Sequence, residues 1–71
     1  MNLYTANKIY RKGSRIRVKS HESSFFSEPF IIREIDVGHS IYLRREAVYI
    51  FVENRNFPSN NFFYDYEVEV L

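Results

Sequence analysis

Residues 64–71 read YDYEVEVL, and residues 15–19 read RIRVK. Both alternate apolar with charged side chains, and a period of two puts the apolar set on one face of a strand and the charged set on the other. Tyr66, Val68 and Val70 then point inward against Asp65, Glu67 and Glu69, and Ile16 and Val18 against Arg15, Arg17 and Lys19. The two outward rows carry opposite sign. The bias extends beyond the strands. Residues 1–19 hold Lys8, Arg11, Lys12, Arg15, Arg17 and Lys19 with no acid, whereas residues 56–71 hold Asp65, Glu67 and Glu69 with no base. Opposite charges facing each other across a ladder contribute roughly 0.2–1 kcal/mol per pair and disfavour wrong pairings. The pattern therefore predicts that the first strand lies antiparallel to the last, with Arg17 near Glu67 or Glu69. First strand beside last is also the relation that closes a small barrel.

Between these two stretches the chain continues to read as β. PFIIREID (29–36) is apolar on both faces, as a central or bulged strand is. VGHS (37–40) reads as a turn, and IYLRR (41–45) alternates again with Ile41 and Leu43 inward. In AVYIFVE (47–53), Val48, Ile50 and Val52 share one face and Ala47, Tyr49 and Phe51 the other. NRNFPSNN (54–61) is rich in turn formers. Five short strands joined by turns predict an all-β, five-stranded small barrel over residues 1–71 as one domain. Its expected core is Ile16, Val18, Ile32, Ile41, Leu43, Val48, Ile50, Val52, Val68 and Val70. Residues 2–11 read equally as a short helix, with Leu3, Ala6 and Tyr10 on one face and Gly13 as its stop, or as an extended lead-in.

Composition narrows the functional classes. A chain of 71 residues leaves a small core, and its six Tyr and seven Phe are the main material for it. With no Cys and two His, neither a disulfide nor a structural zinc site is expected, and no cofactor is implied. No apolar run approaches the roughly 20 residues of a membrane-spanning helix. The first residues, MNLYTANKIYRKG, lack the apolar core of a secretory signal. A cytoplasmic protein without a membrane partner is the expectation. Abundant Phe, Tyr, Ile and Asn with sparse Ala and Gly resemble small proteins of AT-rich bacteria and their phages, an association that suggests a phage or prophage origin.

YRKGSRIRV (10–18) resembles the entry to Src-homology-3-like barrels, in which a Gly precedes an alternating strand. FPSNN (57–61) is similar to the segment before their final strand. The resemblance covers roughly residues 8–71 and implies the architecture of that fold. It does not carry the proline-rich peptide site. The chain has no Trp, and Asn61 stands where the family's Pro-x-x-Tyr step places a Tyr. A fold of this kind hosts many functions.

Catalysis is not expected. His21 and His39 sit in polar stretches without a carboxylate placed to orient them, and no phosphate loop or paired carboxylate is present. Binding remains, in two forms. The first is contact with a protein partner, which includes a second copy of the chain, in a regulatory or accessory role. Its candidate contacts are Phe25, Phe26 and Tyr64, since adjacent Phe residues in an extended loop point to opposite sides and one of them faces solvent. The second is a small nucleic-acid-binding barrel, with Lys8, Arg11, Lys12, Arg33, Arg44, Arg45 and Arg55 on the backbone and Tyr42, Tyr49, Phe51 and Tyr64 as stacking platforms. Phe57 and Phe62, with Tyr66, are expected to close the end of the barrel, and Pro58 to sit in the turn before the last strand.

Overall fold

The computed structural model describes residues 1–19, 28–58 and 61–71. Among them the chain is mainly β. A helix α1 (Leu3–Ile9) is followed by strands β1 (Arg15–Val18), β2 (Phe30–Ser40), β3 (Arg45–Glu53), β4 (Asn61–Tyr64) and β5 (Val68–Val70). All five form one antiparallel sheet in the order β4-β3-β2-β1-β5. The first strand does lie beside the last. Ile16, Arg17 and Val18 stand opposite Val70, Glu69 and Val68, and the Arg17 guanidinium pairs with the Glu69 carboxylate. Backbone bonds extend this ladder at both ends, from Lys19 N–H to the Glu67 carbonyl and from Leu71 N–H to the Arg15 carbonyl.

The sheet is not closed into a barrel, because its edge strands β4 and β5 do not pair. They are joined by a single 3-10 turn, Asp65–Glu67. Four strand spacings of about 4.8 Å would separate the edges of a flat sheet by roughly 19 Å. The four chain links from Tyr64 to Val68 reach at most about 14 Å even when extended. The sheet therefore has to curl, a shape compatible with a small barrel-like fold. One face becomes an interior built from Ile16, Val18, Phe30, Ile32, Ile35, Val48, Ile50, Val52 and Val68, with Val37, Phe57 and Phe63 packed against it.

The five strands are not all those expected from alternation. Residues 37–40 continue β2 instead of turning, and Ile41–Arg44 form the hairpin turn instead of a strand. Ser40 holds that turn. Its carbonyl accepts from Arg44 N–H at 2.7 Å and its hydroxyl from Leu43 N–H at 3.1 Å, while Arg44 takes a left-handed φ of 57°. Ile41 is consequently 87% exposed and Leu43 only partly covered, which corrects their assignment to the core. Val70, near the chain end, is also exposed. The missing strand is β4, whose Asn61, Phe62, Phe63 and Tyr64 pair with Val52, Phe51, Ile50 and Tyr49. Tyr66 belongs to the 3-10 turn and faces outward, not inward.

The lead-in is helical. The Asn2 side chain accepts from Thr5 N–H at 2.8 Å and caps α1. Ala6 is fully buried against the sheet, and Tyr10, just past the helix, packs on the same core. Leu3 stays exposed, so the helix rests on a small footprint. Gly13 takes φ +86°, the left-handed conformation that favours glycine, and its N–H donates to the Ile32 carbonyl. Burial, and then the neighbouring Asp65 carboxylate, raise the Tyr10 phenol above its ordinary value of 10.0. The folded state thus favours the protonated phenol. Its contribution is complete below the ordinary tyrosine value and is lost as pH rises through the raised one.

Two outcomes are expected. Ile50→Ala, at a fully buried central position, costs roughly 2–5 kcal/mol in denaturant unfolding, whereas Ile41→Ala at the turn stays within about 0.5 kcal/mol. A silent Ile50→Ala would mean that the faces of β3 are reversed. On moving from neutral pH to above the ordinary tyrosine value, Tyr10→Phe loses less unfolding free energy than the parent chain. An identical loss would remove the buried phenol from the alkaline response.

Candidate functional site

The face of the sheet turned away from the core is aromatic. Register decides its membership, because residues directly opposite in a ladder project to the same side. Ile35 and Ile50 form a core pair, so their neighbours Glu34–Phe51 and Asp36–Tyr49 share the other face. Across the next ladder, Phe51 is opposite Phe62 and Tyr49 opposite Tyr64. The result is two transverse rows over β2, β3 and β4, Glu34–Phe51–Phe62 and Asp36–Tyr49–Tyr64.

The rings touch one another. Tyr49 lies 5.1 Å from Phe62 and 5.4 Å from Tyr64 between centroids, Phe51 lies 5.8 Å from Phe62, and Phe62 lies 5.6 Å from Tyr64. Tyr66 then stacks on Tyr64 at 5.8 Å with planes only 11° apart. Edge-to-face and offset pairs at these distances are favourable arrangements for aromatic quadrupoles. Phe62 and Tyr66 remain 43% and 47% exposed. Tyr64 is anchored at both ends. Its hydroxyl is 2.9 Å from that of buried Ser40, and its N–H donates to the Glu67 carboxylate at 2.9 Å. The Tyr49 hydroxyl donates to the His39 carbonyl at 3.3 Å. Partial desolvation and the nearby Glu67 carboxylate raise the Tyr66 phenol above its usual value, so this exposed phenol is a neutral donor near neutral pH.

The lid expected from sequence is half right. Phe57 packs on the core, 6.0 Å from Phe30, in a loop held by the Asn54 side chain, which accepts from the N–H groups of Asn56 and Phe57. Pro58 lies in the loop between β3 and β4. Phe63, not Phe62, completes the packing and meets Phe30 edge-on at 5.4 Å. The signal for this is the parity of FFY once it is a strand, and the turn formers of residues 54–61 conceal where that strand begins. Phe30, Phe57, Asn61, Phe62 and Phe63 line a hollow of about 150 Å³. That is below the roughly 300 Å³ at which small-molecule pockets begin.

Of the protein-contact candidates, Tyr64 joins the aromatic face, while Phe25 and Phe26, like His21, lie outside the described residues. Of the nucleic-acid candidates, basic residues and a ring come together only in Tyr42, Arg44 and Arg45, at the β2–β3 turn. Arg33 pairs with Glu53 at 3.7 Å and Arg55 with Glu28 at 2.8 Å. Lys8 sits 4.5 Å above the Tyr4 ring on α1, and Arg11 and Lys12 are exposed just beyond it. Arg44 and Arg45 flank the β2–β3 turn beside exposed Tyr42, at the opposite end of β3 from Arg55. Tyr49 and Phe51 are platforms, but their neighbours on β2 are carboxylates. His39 is exposed and opposite Glu46. Among the described residues no group of three His, Cys, Asp or Glu gathers to hold a metal, and no helix is long and apolar enough to cross a membrane. Comparison with known proteins finds no family model, no curated protein and no solved structure that matches this chain.

The two adjacent Phe residues of β4 separate core from surface. Phe63→Ala is expected to cost about 3 kcal/mol in thermal or denaturant unfolding, as core Phe truncations do. Phe62→Ala, which loses only ring contacts on the open face, is expected to cost about 1 kcal/mol. The reverse order would place Phe62 in the core.

Proposed function

We propose that this chain is a non-enzymatic binding module that contacts a protein partner through the aromatic face of β3 and β4. The observation that carries the reading is the continuous run of touching rings from Phe51 through Phe62, Tyr49 and Tyr64 to Tyr66, left open to solvent at Phe62 and Tyr66. Contiguous exposed aromatic surface is what protein contacts use, because a rigid ring buries much area for little lost rotamer freedom. The sheet order β4-β3-β2-β1-β5, with a 3-10 turn joining its two edges, supports the Src-homology-3-like architecture. On this reading the protein is cytoplasmic, regulatory or accessory to a larger system, and of phage or prophage origin, as its composition suggests.

The nucleic-acid alternative draws on Tyr42, Arg44 and Arg45 at one hairpin turn, where two arginines and an exposed ring do stand together. Against it, Arg33 and Arg55 are matched by carboxylates, and the aromatic platforms carry acidic flanks that repel phosphate.

Affinity capture from the native host, with and without nuclease, tests the choice. The tagged chain is expected to retain the same protein partner after nuclease treatment, and Phe62→Ala to release it while melting as a folded protein. Retention that vanishes with nuclease, or that survives Phe62→Ala but not Arg44→Ala with Arg45→Ala, would favour nucleic acid.

A further inference from the structure

The acids on the aromatic face identify the chemistry of its partner. Glu34 and Asp36 are exposed, and each stands directly beside a ring, Glu34 beside Phe51 and Asp36 beside Tyr49. Neither carboxylate forms an ion pair with a described residue, whereas Glu28, Glu53 and Glu69 all do. Asp36 spends one oxygen on its neighbour's N–H, Val37, and keeps the other free. No basic side chain of a described residue lies within the two rows; Arg33, paired with Glu53, and Arg45, opposite Ser40, flank them. The face is therefore a pair of parallel tracks, each running carboxylate, ring, ring.

Building on the reading of this face as a contact surface, we propose that it receives an extended, cationic polypeptide segment with arginine at alternate positions. The spacing argues for that form. The two rows are two residues apart on each strand, about 6.8 Å. That equals the distance between side chains i and i+2 of an extended chain, so successive arginines reach successive rows. Each guanidinium can fork onto a carboxylate while its planar face and alkyl stem lie over the adjoining ring. A lysine meets the charge but not the plane, so arginine is preferred. Other occupants fit less well. A phosphate backbone meets two unmatched carboxylates. A second copy packed face to face sets these carboxylates against their own copies, and the bases flanking the rows are Arg33, already paired with Glu53, and Arg45, four residues before Tyr49 at the start of β3.

The test is a titration of the isotopically labelled full chain, followed by amide chemical shifts, with the peptide acetyl-Ser-Arg-Ser-Arg-Ser-amide. Three comparison ligands accompany it: the same peptide with glutamate for arginine, one with its arginines adjacent, and oligothymidylate. Saturable shifts centred on Glu34, Asp36, Tyr49, Phe51, Phe62 and Tyr64 are expected with the alternating arginine peptide. Affinity should fall at least tenfold in the Glu34→Gln, Asp36→Asn double variant, which preserves shape, and at least tenfold in Phe62→Ala. The adjacent-arginine peptide should bind more weakly and the glutamate peptide not at all. The proposal is overturned if these residues show no saturable shift, if the double variant binds as well as the parent, if oligothymidylate binds this face more tightly, or if the shifts depend on protein concentration as burial in a dimer demands. Should Phe62→Ala abolish partner capture while the arginine peptide fails to bind, the contact surface stands and the cationic partner falls.

Discussion

Three residues, Asp65–Glu67, connect the two edges of the sheet, and the rest of the architecture follows from how short that link is. It is too short to cross a flat five-stranded sheet. The sheet curls, and curling distinguishes its two faces. The concave side can be filled by side chains alone, which suits a chain with few residues to spend on a core. The link is itself held from both sides. The Glu67 carboxylate takes the Tyr64 N–H on β4, and the Glu67 carbonyl takes the Lys19 N–H beyond β1. Glu67 thus ties the β4 edge to the end of the β1–β5 ladder, and it also satisfies an N–H on the edge strand that would otherwise invite a further strand.

Once the faces differ, residue types sort between them. The interior takes Ile and Val from the centres of β2 and β3, with Phe30 touching Phe57 and Phe63 against them. The opposite face takes Tyr49, Phe51, Phe62 and Tyr64, large rings that stabilise neighbouring strands by touching across ladders and still leave area exposed. Stability and the proposed binding therefore draw on the same rings. Tyr64 shows the overlap most directly, with its hydroxyl fixed to Ser40 and its ring forming part of the open surface.

The hairpin of β2 and β3 supplies most of the length over which that surface is laid out. Ser40 determines where the hairpin turns, and the place of the turn sets the register of every pair down to Ile31 and Glu53, through the bulge between Ile32 and Glu34. Without the bulge, Glu34 and Asp36 would exchange faces with their neighbours, since a shift of one residue reverses the side on which each side chain projects. The carboxylates reach the rings because of one extra residue near Arg33.

The sequence by itself determined the all-β class, the pairing of first strand with last, the facing of Arg17 to Glu67 or Glu69, and most of the interior; the structure decided for Glu69. These depend on alternation and on charge sign, which are local properties written residue by residue. Ile16, Val18, Val48, Ile50, Val52 and Val68 were legible for that reason. Only the tertiary structure decided that Ile41–Arg44 turns while NFFY pairs, that Phe63 and not Phe62 is inside, and that Glu34 and Asp36 stand beside aromatic rings. Alternation is equally consistent with a strand and with a turn held by a side chain such as that of Ser40. Which face a ring occupies depends on register across three strands, and register is set by turns and bulges whose energy comes from contacts distant in the chain.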